Sequence, residues 1–145
     1  MSIDPGILVL NLRAVGVVLA GLVVLNLFVP GRFGWRDELA RLSLLNRQIF
    51  QAHSVFLVLT LALFSALLLT SADTLLAPTR LSRAVLAGLT VFWALRMGMQ
   101  WLFYSPAIWR GNPFFTTMHV VFSMTWIYMT GVFGAALWWN LSERL

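Results

Sequence analysis

Residues 7–29 read ILVLNLRAVGVVLAGLVVLNLFV, twenty-three positions in which only Asn11, Arg13 and Asn26 are polar. A helix of that length rises about 35 Å, enough to cross roughly 30 Å of hydrocarbon. Three further stretches repeat the pattern. One covers about 47–70 and ends in the polar Ser71-Ala72-Asp73. Another covers about 83–104, with Ser82 as its expected N-cap and Ser105-Pro106 beyond its end. The last covers about 113–139 and opens on Asn112-Pro113, a cap followed by proline at the first helical position. The expected fold is therefore all-α: an integral membrane protein, one transmembrane domain built as a four-helix bundle.

Composition agrees. Of 145 residues 60% are hydrophobic and 10% charged, whereas a soluble domain carries about 25% charged residues. Lipid must then serve as part of the solvent. Cysteine is absent, which removes disulfides, thiolate metal sites and thiol nucleophiles. The opening Met-Ser-Ile-Asp-Pro-Gly lacks the positive start of a secretory signal, so the first span reads as a retained helix.

The first connection carries Trp35, Leu39, Leu42 and Leu45 at helical spacing, with Arg36, Asp37, Glu38 and Arg41 mostly on other faces. This predicts a short amphipathic helix over about 34–45, lying in the membrane interface. All ten basic residues are arginine, and they stand singly near the span ends. Scattered arginines suit lipid phosphates and the fixing of topology, and they offer no basic stripe for nucleic acid. Arg32, Arg36, Arg41, Arg47 and Arg110 share one side, against Arg80, Arg83 and Arg144 with Arg13 on the other. That balance favours termini outside a bacterial cytoplasmic membrane.

Ionisable residues within a span are costly and mark a site by default. His53 and His119 each lie about six residues inside spans that start on the same side, roughly 9 Å deep. Arg96 and Gln100 precede the end of the third span by about eight and four residues, and Asn26 lies three before Val29. All four spans thus bring a polar group to one layer. Asn46, His53 and Thr60 recur every seven residues, while Thr116, His119, Ser123, Thr130 and Gly134 follow one helical face.

Several chemistries fit this layer. His53 and His119 on diagonal helices would ligate a haem b for electron transfer, with Arg96 pairing a propionate and Gln100 beside it. A single histidine would hold the magnesium of a chlorophyll-type pigment. Alternatively, a quinone or other lipid-soluble substrate would find donors in a histidine and Arg96, in a slot lined by Phe50, Phe56, Trp93 and Trp126. Catalysis has little support, since no carboxylate in the layer orients a histidine. The plainer reading is interhelical glue, where such bonds contribute about 0.6 kcal/mol each. With so little mass outside the membrane, the expectation is a small accessory subunit of a respiratory or photosynthetic type of complex. It would pack against lipid and against partner chains or copies of itself, and Gly16, Ala20 and Gly21 would allow close helix approach.

Overall fold

In the computed structural model, which describes residues 4–32 and 34–143, the chain is helical with no strand among those residues. The helices are α1 (Pro5–Arg32), α2 (Trp35–Ala40), α3 (Leu44–Leu76), α4 (Arg80–Leu102) and α5 (Pro113–Ser142). A 3-10 turn, Pro106–Ile108, lies between α4 and α5. Arg144 and the side chain of Arg32, counted in the charge balance, lie outside the described residues, as do Met1, Ser2 and Ile3.

Four helices, α1, α3, α4 and α5, are long and apolar enough to cross a membrane, with window mean hydropathies of 2.4, 2.4, 1.2 and 1.6. No more than 33% of any of these windows is buried within the chain. Leu10, Phe28, Phe56 and Leu81 are all exposed. Helices that are apolar all round belong in apolar surroundings, because no polar face is left for water.

Element ends differ from the sequence expectation in instructive places. α1 runs on through Pro30, and α3 runs on past Thr70 by bending at Ser71, whose φ of −131° and ψ of 20° are not helical. α4 starts three residues before the expected 83, because its cap is Thr79: the Thr79 hydroxyl accepts the Ser82 N–H at 3.1 Å. Ser82 instead donates its hydroxyl to the Thr74 carbonyl at 3.0 Å. Helix α2 is six residues long, with Asp37 and Glu38 in its first turn, where the helix dipole favours acids.

The chain divides into two compact units: Arg13–Ala72, and the residues up to Leu12 together with those from Asp73 onwards. In the Arg13–Ala72 unit, Val15, Leu19 and Leu22 of α1 and Leu61, Leu68 and Ala72 of α3 are buried. A Cβ on Gly16 would come within 2.9 Å of Leu69 and 3.2 Å of Leu68, so glycine sets how closely α1 meets α3. The Ser65 hydroxyl uses that proximity to donate to the Gly16 carbonyl at 2.8 Å. Gly16 thus serves contact within the chain, whereas a Cβ at Gly21 would meet nothing within 4 Å.

In the other unit α4 packs against α5. Ser82, Leu86, Leu89, Trp93 and Gln100 form the buried stripe of α4, and Ser123, Trp126, Met129, Phe133, Ala136 and Asn140 that of α5. Asn140 closes one end of this pair. Its amide donates to the carbonyls of Leu75, Leu76 and Ala77 at 3.3, 3.0 and 2.8 Å, and its oxygen accepts from Arg83 Nε at 3.1 Å. Arg83 Nη2 donates in turn to the Asn140 and Glu143 carbonyls at 3.1 and 2.9 Å, covering the C-terminal carbonyls of α5.

Candidate functional site

The other end of the α4–α5 pair holds a polar cluster built by the ends of both helices. Asn112 caps α5 by accepting the N–H groups of Phe114 and Phe115 at 3.1 and 3.3 Å, with Pro113 following it. Gly111 makes the turn before the cap at a φ of 82°, a conformation that strains other residues. The Thr116 hydroxyl, one turn into α5, is 2.7 Å from the Trp109 carbonyl and 3.0 Å from that of Asn112. The connection is thereby tied down, and the Trp109 ring stacks on the His119 ring at 4.0 Å and 13°.

Gln100 is the hub of the cluster. It is 6% exposed, two residues before the end of α4, and its side chain meets three neighbours. Its Oε1 accepts from Arg96 Nη1 at 3.2 Å and from Trp126 Nε1 at 3.3 Å. Its Nε2 lies 2.9 Å from His119 Nδ1. Guanidinium and indole N–H groups can only donate, so the oxygen of the amide must face them. Nε2 must then donate to His119, and His119 Nδ1 must accept. The tautomer follows from this assignment: the ring proton of neutral His119 sits on Nε2.

Arg96 is half-buried, its guanidinium carbon 4.6 Å from the centre of the Trp126 ring and 6.0 Å from that of Tyr104. Trp126 in turn stacks with Trp93 at 5.4 Å and with Phe122 at 5.8 Å. Trp101 Nε1 donates to the Ser123 hydroxyl at 3.1 Å, a second link between α4 and α5 in the same region. Arg96, Gln100, Tyr104, Trp109, Phe115, His119 and Phe122 are among the residues around a pocket of about 220 Å³.

The structure therefore brings together Arg96, Gln100 and His119, with Ser123 and Thr116 as supports. The remaining residues of the expected layer lie in the Arg13–Ala72 unit, where they bond locally. Asn26 Nδ2 donates to Leu22 O at 2.8 Å, and the Thr60 hydroxyl donates to Phe56 O at 2.8 Å. Asn46 is exposed and gives its backbone N–H to the Ser43 hydroxyl at 3.4 Å. His53 is exposed as well, its Nδ1 2.8 Å from Ile49 O. A carbonyl only accepts, so His53 carries a proton on Nδ1, and in the neutral ring Nε2 keeps the lone pair.

The two histidines thus have opposite tautomers. A metal-ligating histidine usually donates its second ring N–H to an acceptor and coordinates through the other nitrogen. His53 has that arrangement. His119 has the reverse, with Nε2 protonated and Nδ1 facing a donor. Among the described residues no group of three His, Cys, Asp or Glu side chains is placed to hold a metal ion. What the α4–α5 pocket offers is hydrogen-bond donors, from Arg96, the Nε2–H of His119 and the Tyr104 hydroxyl, set among aromatic walls.

Sequence reasoning missed Trp109 and Tyr104 as members of this site, because aromatics at span ends anchor helices at the headgroups by default; Trp126 is expected in an aromatic slot. The adjacency of Thr116 to the Asn112-Pro113 cap was the available signal that the connection folds back on α5. Comparison with protein-family models, curated proteins and solved structures gave no match.

Proposed function

We propose that this chain is an integral membrane protein whose α4–α5 pocket binds the hydrogen-bond-accepting end of a lipid-soluble molecule. The observation that carries the reading is the Gln100 hub, which turns the donor side of Arg96 and His119 outward from the amide. Arg96 lies six residues inside α4 and His119 six residues inside α5, so each is about 9 Å below the headgroup level in this arrangement. Complete ligand pockets measure roughly 300–1,000 Å³. A space of about 220 Å³ suits a head group whose apolar remainder stays in the bilayer.

In this reading the four long helices span the membrane as a bundle, with both termini outside a bacterial cytoplasmic membrane. The haem alternative needs an Nε2 lone pair on both His53 and His119, and a Gln100 bond donated to Nδ1 of His119 favours the tautomer with the ring proton on Nε2 instead. The accessory-subunit alternative draws support from the wide apolar surfaces, which lipid covers equally well. A buried amide that orients two donors beside a pocket favours a ligand.

The test is extraction. Protein taken from its native membrane in nanodiscs should carry a lipid-soluble molecule that mass spectrometry detects and that a combined Arg96→Gln, His119→Phe variant loses. Identical extracts from wild type and variant would overturn the proposal.

A further inference from the structure

The charge on Arg96 narrows the class of ligand, if the binding role proposed above holds. A guanidinium stays protonated in proteins, and an uncompensated cation inside an apolar segment is costly. The chain has five carboxylates, Asp4, Asp37, Glu38, Asp73 and Glu143. Among the described residues none of them pairs with Arg96, whose polar partner is the neutral Gln100 amide and whose other contacts are the rings of Trp126 and Tyr104. One N–H of the guanidinium is used on Gln100, which leaves the remaining donors of its planar fork for a ligand.

The second positive edge of the pocket is His119. Because Gln100 fixes Nδ1 as an acceptor, the ring presents Nε2–H, unshared among the described residues. Both side chains border the same pocket of about 220 Å³, and the Trp109 ring holds the imidazole plane in place. A neutral carbonyl would satisfy a donor but leave the positive charge unbalanced. A planar or tetrahedral oxyanion does both, and its bond to a guanidinium is charge-assisted and shorter than a neutral one.

We propose that the α4–α5 pocket binds an anionic amphiphile, a carboxylate or phosphate monoester on an apolar tail, with the anion held between Arg96 and the Nε2–H of His119. Phe115 and Phe122 enclose the first carbons of the tail. Gln100 is a positioning residue in this account, since it orients both donors without needing to touch the ligand.

The experiment is a fluorescence titration of the whole protein in detergent, where Trp109 and Trp126 report on the pocket. The probes are a brominated fatty acid, its methyl ester and a brominated monoalkyl phosphate, with bromine quenching nearby indole. The fatty acid and the alkyl phosphate should quench saturably, while the ester shows only the gradual quenching of micelle partition. Arg96→Gln should raise the half-saturating acid concentration roughly ten- to a hundredfold, and Arg96→Lys should restore part of the loss. The acid–ester comparison on wild type decides the matter even where a variant fails to fold. An ester that saturates as well as the acid would overturn the anionic head while leaving a lipid-ligand role standing. If no probe saturates, both proposals fall. Inorganic phosphate that displaces the fatty acid at similar concentration would mean a free-anion site and would overturn the amphiphile.

Discussion

His53 and His119 are the only histidines in the chain, both sit in helices long enough to cross a membrane, and their surroundings differ completely. In the Arg13–Ala72 unit His53 is exposed and spends Nδ1 on the carbonyl one turn behind it. In the α4–α5 unit His119 accepts from a buried amide on another helix, under a stacked indole. The same contrast runs through their neighbours. Asn26 and Thr60 bond back to their own helices, whereas Gln100, Trp101 and Trp126 bond across to the neighbouring helix and Arg96 lies over the Trp126 ring there. A polar residue inside an apolar helix has two ways of being satisfied, and only the second gathers donors into a site.

The largest effect is expected at the hub. Gln100→Leu leaves a guanidinium, an indole N–H and an imidazole nitrogen without their partner, and should cost about 3 kcal/mol or more, read as thermal unfolding in detergent. Gln100→Glu sharpens the point, because a carboxylate accepts from Arg96 and Trp126 but cannot donate to Nδ1. It should shift the His119 ring proton to Nδ1 and keep more of the stability than leucine does. Equal losses for the two variants would break the idea that tautomer follows from the hub.

Asn140→Ala tests whether polar bonding between helices also holds the opposite end of the α4–α5 pair. Its side chain is fully buried and serves three carbonyls and Arg83, so a loss of about 2 kcal/mol is expected by the same measurement. In the Arg13–Ala72 unit close approach matters more than polar linkage. Gly16→Ala pushes a methyl towards Leu69 and Leu68, and should cost about 1 kcal/mol, while Gly21→Ala should be neutral or slightly stabilising. His53→Ala should change stability by less than about 0.5 kcal/mol, as expected at an exposed position. A loss at His53 as large as that at Gln100 would erase the contrast between the two regions.

Much of this was legible in the sequence. Run length and hydropathy showed four long apolar helices, and the four-residue spacing of Arg96 and Gln100 placed them on one face. Depth alone also put His119 level with them. Depth could not separate His53 from His119, because both rings lie within helices and only cross-helix geometry reveals which one finds a partner. The Asn140 and Arg83 pairing left no sequence signal, since polar residues at span ends are expected there in any case. The Ser82 cap was misplaced for a related reason: Thr79 stands three residues earlier and accepts the Ser82 N–H, which puts Ser82 inside the first turn. Trp109 gained its role from the fold of its connection, which a window of hydropathy does not record.

The donor character of the pocket rests on where one proton sits, and side-chain nitrogen NMR of histidine-labelled protein reads that position directly. With two histidines in the chain, His53→Ala assigns both sets of signals. The expected result is a neutral His119 protonated at Nε2 beside a His53 protonated at Nδ1. A His119 protonated at Nδ1 would mean that the Gln100 amide faces the other way, and the pocket would no longer present the pair of donors on which its function depends.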